Sequence, residues 1–208
     1  MPIPWTPTLS SGLIWSPWQG TNGDVVLNRG LNTDRRVRAD QVVVQAVSLP
    51  VSDPESLTST ICRDGLEYWH HLRGERPMPS RDAVDPSAMR TLLPYTFLVD
   101  VLEPGGDFRY RLVGTDIVAH TPRDNTGLRL SEITDQGTQN QLVALYTSVV
   151  GGKTPRFQRI AYRTRLGLRS WYETVVCPLA DPNAPGSVAM LIGWAEHFHQ
   201  PIVFSEPE

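Results

Sequence analysis

Cysteine is scarce in this chain. Two occur in 208 residues, Cys62 and Cys177, far apart and outside any Cys-x-x-Cys or Cys/His spacing. That argues against a structural zinc motif and gives no sign of an oxidising compartment. No run of about 18 apolar residues exists, so no membrane-inserted helix is expected. The N-terminus lacks the basic start and apolar stretch of a signal peptide, and the cytoplasm is the expected location. Positive charge is not in surplus: 19 Lys and Arg stand against 22 Asp and Glu, a net charge of −3. Nucleic acid and acidic membrane surfaces both demand a basic excess, so neither is expected as a partner. Arginine is far commoner than lysine, which reads as genomic composition before function. Catalytic signatures are missing too: no Gly-x-Ser-x-Gly, no glycine-rich phosphate loop ahead of a helix, no His-Glu-x-x-His. The chain is expected not to be an enzyme. What is there, 40% apolar and 20% charged residues, is the composition of a globular protein with a core.

Residues 1–55 read as an N-terminal extension. Pro-Trp-Thr-Pro at 4–7 and Trp-Ser-Pro-Trp at 15–18 carry no helical or strand periodicity, and turn formers fill 20–32. Such composition describes a flexible tail. The alternative reading makes the tryptophans anchors docking on a partner or on the chain's own sheet, and a misplaced start codon gives the same pattern. The apolar run at 41–49 reads as a strand or as a segment resting on the folded part. From Ser52-Asp53-Pro54-Glu55 a helix is expected, with carboxylates at its positive end. Leu57, Ile61, Cys62, Leu66, Tyr68, Trp69 and Leu72 then share one side until Gly74. An irregular connector, Arg76-Pro77-Met78-Pro79-Ser80-Arg81-Asp82, leads to a second short helix from Asp85-Pro86 to Leu93, stopped by Pro94.

Tyr95 to Thr115 holds two apolar runs split by Glu103-Pro104-Gly105-Gly106, a hairpin signal. With Leu102 opposite Asp107, Val101 pairs with Phe108, Val99 with Tyr110 and Phe97 with Leu112. One face is then wholly apolar, and Asp100 falls across from Arg109. Short helical turns are expected from Asp116 to Leu130. An amphipathic helix follows from Gly137 to Val150, with Leu142, Leu145, Tyr146, Val149 and Val150 at three- and four-residue spacing, ended by Gly151-Gly152. Three strands come next, at 156–165, 169–179 and 187–197, joined by turns at Leu166-Gly167-Leu168 and at 181–186. Residues 198–208 read as a tail. The folded part is thus 56–197, with N-terminal helices over 56–94 and a sheet and helical core over 95–197. The class is α+β, with five antiparallel strands and helices inserted between the second and third.

That order resembles the PAS domain. More narrowly, the chain resembles a bacterial group of small stand-alone PAS-like proteins. Their mark is an aromatic helix ending in Tyr-Trp and an Arg-Pro-x-Pro-x-Arg-x-x-x-Asp-Pro connector. Here these are Tyr68-Trp69, Leu72-Arg73-Gly74, Arg76-Pro77-Met78-Pro79-Ser80-Arg81 and Asp85-Pro86. The likeness continues through Leu93-Pro94, Phe97 to Val101, Phe108 to Thr115, Arg123-Asp124-Asn125-Thr126-Gly127 and Pro178-Leu179. It covers about residues 57–197 and fades in the last third. The resemblance implies a PAS-like five-stranded antiparallel sheet with a helical cluster between strands 2 and 3, plus N-terminal helices. It also implies a sensory or regulatory role in signal transduction, with a small ligand or a partner protein bound. The group's ligand is undefined, so the cofactor is unknown. No kinase, cyclase or DNA-binding segment is expected after Glu208, and signalling is expected to pass through protein contacts.

Candidate ligand-binding residues are Phe97, Val99, Tyr110 and Leu112 on the hairpin's apolar face. Ile117, Val118, Tyr146, Val149, Ile160, Tyr162 and Trp171 stand around it; the competing reading is that all of them fill a core. Tyrosines matter most, because a buried hydroxyl needs a partner that a polar ligand can supply. His120 lies where some PAS domains offer a histidine to haem iron, although Thr121-Pro122 would break a supporting helix. Residues 123–126 lack the cysteine of a flavin photosensor, so a covalent flavin photocycle is rejected. Trp69, Arg76, Pro77, Pro79, Arg81 and Asp85 are read as the structural connector. Its Arg76, Arg81, Asp82 and Asp85 are expected to tie it to the sheet edge by charge-assisted hydrogen bonds, with Arg111 a partner for Glu173. His70-His71 suits a helix C-terminus. His197 and His199 on a tail are too few ligands for a metal, and no metal site is expected. Expected partners are an unidentified small molecule, a signalling protein and a second copy in a homodimer. The alternative function is a ligand-free homodimerisation or protein-interaction module, paired through the 57–72 helix.

Overall fold

The computed structural model describes residues 43–51, 53–102, 106–133, 136–164 and 169–198. The tryptophan-rich stretches, residues 103–105 and 165–168 where turns are expected, and residues 199–208 of the expected tail lie outside the described residues. The strands are β1 (Val43–Pro50), β2 (Thr96–Val101), β3 (Phe108–Val113), β4 (Arg156–Thr164), β5 (Arg169–Asp181) and β6 (Ala184–Phe198). They form one sheet in the order β1-β4-β5-β6-β2-β3, with antiparallel neighbours throughout. The helices are α1 (Thr60–Arg73), α2 (Thr115–His120) and α3 (Gln136–Gly152). The α+β class and the five expected strands are present, with helices between β3 and β4. β1 is a sixth strand, so the folded part begins before residue 56: Ala46 pairs with Tyr162 and Ser48 with Ile160. It covers an edge of β4 that would otherwise expose unpaired backbone groups.

Both faces of the sheet are buried at its central strands β5 and β6. Val175, Cys177, Leu179, Met190, Ile192 and Trp194 point to one face, where α1 and the connector cover them with Cys62, Leu66, Trp69 and Met78. Val176, Leu191 and Ala195 point to the other, beneath Ile117, Tyr146 and Val149. Strands covered on both sides read as continuous apolar runs, as 175–179 and 190–195 do. α1 starts later than expected because its cap is Ser59, whose hydroxyl oxygen accepts the Cys62 N–H at 2.9 Å. Asp53-Pro54 instead opens a separate 3-10 turn, Pro54–Ser56. Gly74 ends α1 at a φ of 55°, a left-handed conformation that suits glycine. In place of a helix over 85–93 there are 3-10 turns at Pro86–Met89 and Leu93–Tyr95, each with proline at its start.

The β2–β3 register matches the expected one near the turn. Val101 pairs with Phe108, Asp100 with Arg109 and Val99 with Tyr110, and the Leu102 N–H donates to Asp107 O at 3.1 Å. Further on, a bulge intervenes. Leu98 pairs with Leu112 and Phe97 with Val113, not with Leu112. The extra residue, Arg111, shifts every later side chain by one position. Leu112 consequently faces outward with 37% exposure.

The connector is tied to the sheet by backbone, not by charge. Ala180 N–H donates to Pro79 O at 2.8 Å, and Ser80 bridges Ala180 in parallel. This happens where β5 runs beyond β4, whose pairing stops at Arg156 opposite Val176. Trp69 Nε1–H adds a bond of 2.8 Å to Pro178 O. Arg76 turns back to the α1 carbonyls, donating to Leu72 O at 2.8 Å and Arg73 O at 3.3 Å. Asp85 accepts from the Ser87 N–H and hydroxyl, both at 2.8 Å. No ion pair among the described residues joins Arg76, Arg81, Asp82 or Asp85 to the sheet. Arg111 reaches Asp100 at 3.6 Å; Glu173 pairs with Arg159 instead, because β6 and β2 separate β5 from β3. Among the described residues no helix is long and apolar enough to cross a membrane.

Candidate functional site

The sheet face under α2 and α3 is not completely filled. A cavity of 220 Å³ lies there, walled by strand residues including Phe97, Tyr110, Val113, Ile160, Tyr162, Tyr172 and Thr174 and by Ile117, Leu142, Leu145 and Tyr146 of the helices. The Tyr110 and Tyr146 hydroxyls meet at 3.0 Å, one donating to the other. Phe97 stands edge-on to Tyr110, with ring centroids 6.4 Å apart. Its position depends on Gly193, where a Cβ would lie 2.2 Å from Phe97 Cζ. Burial pushes the Tyr110 phenol up to about 12 and raises those of Tyr146 and Tyr172 above their ordinary value. These phenols are therefore neutral hydrogen-bonding groups at ordinary pH.

The wall also holds polar side chains, Thr138, Gln141 and Thr174 among them. His120, Thr121, Arg123, Asn125, Gln158 and His197 contribute as well. His120 is the last residue of α2; its Nδ1–H donates to the Asp116 carbonyl at 2.8 Å, since a carbonyl can only accept. The His120 and His197 rings stack at 4.4 Å and 7°. Tyr172 lies 5.0 Å beyond His197, and Tyr162 lies 6.0 Å from Tyr172. An aromatic strip thus runs from α2 across β6, β5 and β4.

Six of the eleven expected ligand-binding residues line this cavity, Phe97, Tyr110, Ile117, Tyr146, Ile160 and Tyr162, and Val118 is not in its wall. Val99 and Val149 are fully buried in the adjoining core and are not part of the wall. Leu112 is removed by the bulge, and Val113 takes its place. Trp171 belongs to the opposite face, alternating with Tyr172; it stacks on Phe198 at 4.0 Å and lies under the Arg159 guanidinium. Strand parity would have found Tyr172 and Thr174, because both share a face with Val176. His197 lies in β6, within the strand expected over 187–197, so it does not belong with His199 to a tail.

Asp116, His120 and His197 bring ligand atoms within 4.8 Å of one another. As arranged they do not form a coordination site, since nearly parallel stacked rings do not aim their in-plane lone pairs at one point. Haem and flavin fit poorly. The cavity is smaller than the roughly 300–1,000 Å³ of pockets for drug-sized ligands. Cys62 and Cys177 both lie in the core on the other face of the sheet, out of reach of a covalent flavin adduct. Burial pushes the Cys62 thiol up to about 12, which keeps it unreactive.

The chain matches the PAS domain family over residues 58–194 and belongs to it. No curated protein matches it. Among solved structures it is similar to an RNA-binding light-oxygen-voltage receptor, at 15% identity and a TM-score of 0.38. That alignment covers 74% of this chain and 39% of the receptor chain, well under two thirds of its length. It is also similar to a sensory box histidine kinase/response regulator from Burkholderia thailandensis E264, at 13% identity and a TM-score of 0.34, over 55% of this chain and 86% of that one.

Proposed function

We propose that this PAS domain is a sensory or regulatory protein of signal transduction that takes a small molecule into the cavity between sheet and helices. The carrying observation is that cavity: largely apolar in its lining, with several polar side chains in the wall, as ligand sites are built. Binding would favour one arrangement of α2 and its neighbouring turns over another and so alter the surface met by a partner protein. The reading is non-catalytic and cytoplasmic, and it places the chain in the bacterial PAS-like subgroup that carries the Arg76-Pro77-Met78-Pro79-Ser80-Arg81 connector. The ligand-free homodimerisation module is less well supported, because the apolar side of α1 on which it relied is already packed against β5 and β6. Homodimerisation through another surface is compatible with sensing.

Native mass spectrometry and an absorption spectrum of the purified protein test the proposal. Non-covalently retained mass that disappears in Leu142→Trp, which fills the cavity, is the expected result. A protein without added mass, in which Tyr110→Ala changes stability alone, would favour the interaction module.

A further inference from the structure

Among the described residues the charge in the cavity wall is of one sign. Arg123, His120 and His197 stand in it, and among the described residues no carboxylate does. Arg123 is half-buried, and its Nη2–H donates to the Glu132 carbonyl at 2.9 Å. None of the ion pairs among the described residues includes it. Asp116 stands 3.7 Å from His120 Nδ1, but outside the wall. One carbonyl contact leaves most of a guanidinium's planar donor fork for an anion, and that fork matches the two oxygens of a carboxylate. The pairing is stronger in a partly desolvated recess than in water.

Size and the remaining wall limit the rest of the ligand. An apolar cavity of about 150 Å³ accepts benzene; at 220 Å³ this one admits a single ring with a short substituent, not a long acyl chain. Phe97, Ile117, Leu145 and Ile160 supply the apolar surface such a ring requires. We propose, resting on the reading that the cavity takes a small molecule, that its ligand class is small single-ring carboxylates. The ring packs between Phe97 and Ile160, and the carboxylate is held by Arg123 on the side of the stacked histidines.

Calorimetric titration of the full chain with phenylacetate and with its neutral isostere phenylacetamide tests this. Expected is at least tenfold tighter binding of the acid. Arg123→Gln should lower the affinity for phenylacetate tenfold or more and leave that for the amide unchanged. Amide binding as tight as the acid, or an equal loss of both in Arg123→Gln, would overturn the carboxylate assignment while leaving a small-molecule cavity in place. Should Arg123→Gln not fold, the acid-to-amide comparison in the unaltered protein still decides. Failure of both probes also overturns the assignment. Indole, a neutral ring, then separates the two levels: if it binds, the cavity reading survives, and if it does not, both fall.

Discussion

The Tyr110 hydroxyl, from β3, lies 3.0 Å from the Tyr146 hydroxyl, from α3, with both rings buried at 8% and 1% exposure. The hairpin and the long helix thus satisfy each other's polar groups inside the core. Removing one hydroxyl leaves the other buried without this partner, at about 1–3 kcal/mol, whereas removing both leaves no such orphan. Urea denaturation of Tyr110→Phe, Tyr146→Phe and the double variant should show the double change costing less than the sum. Strict additivity would mean that the two hydroxyls are not coupled.

The same burial predicts how stability changes with pH. The Tyr110 phenol is pushed up to about 12, and those of Tyr146 and Tyr172 are also raised, in each case chiefly by desolvation. An unfolded tyrosine releases its proton near 10, its ordinary value. Between that pH and about 12 the unfolded chain therefore binds fewer protons than the folded one, so stability falls as pH rises. Below it the phenols contribute no slope. Chemical denaturation from about pH 9 to 12, followed by tyrosinate absorbance, should show this fall, and Tyr110→Phe should make it shallower. An identical slope in that variant would contradict burial of Tyr110.

On the opposite face a charge pair anchors the start of α1. Glu173, at 0% exposure, accepts the Ser59 N–H at 2.7 Å on Oε2, and takes the Arg159 Nε–H at 2.8 Å together with an Nη2–H on Oε1. Ser59 in turn donates its hydroxyl to Glu196 Oε2 at 2.7 Å. Arg159→Ala strands a fully buried carboxylate and should cost about 3–5 kcal/mol. Glu173→Gln keeps an acceptor for Ser59 and leaves Arg159 partly solvated, at about 1–3 kcal/mol. The order of these two costs in urea denaturation is the test; the reverse order would show that Glu173 is solvated.

How much of this is legible in the sequence follows from which errors the residues penalise. The hairpin register near its turn is readable because a slip would bury Asp100 or Arg109. It is lost at Arg111 because a bulge there buries no charge, and Phe97 meets an apolar residue in either register. β1 stays ambiguous, since a short apolar run without a turn signal fits a strand or a resting segment equally well. Aromatic character favours Trp171 as readily as Tyr172, because a strand covered on both faces offers no alternation to separate them. The last strand is legible through His197, one residue short of its end at Phe198, because its apolar run carries it that far. The connector's charges suggest an ionic tie, while the bond that holds it, Ala180 N–H to Pro79 O, uses backbone atoms alone.

Two helical glycines should respond in opposite directions to the same change. On propensity alone, glycine to alanine within a helix gains up to about 1 kcal/mol. Gly151, in the last turn of α3, has nothing within 4 Å of where a Cβ would stand, so Gly151→Ala should stabilise by up to that amount. Gly65 lies on the buried side of α1, where a Cβ would stand 2.3 Å from Trp194 Cδ2 and 2.6 Å from Cε3. Trp194 is at 0% exposure and is packed edge-on to Tyr68 at 6.3 Å, so its ring has no room to retreat. The helix must lift from the sheet instead, and overpacking of this kind costs about 1–3 kcal/mol, more than the propensity gain. Thermal or urea denaturation should therefore show Gly65→Ala destabilised and Gly151→Ala unchanged or more stable. A stabilised Gly65→Ala protein would mean that α1 does not approach Trp194 this closely, and with that the packing of α1 on β5 and β6 would have to be redrawn.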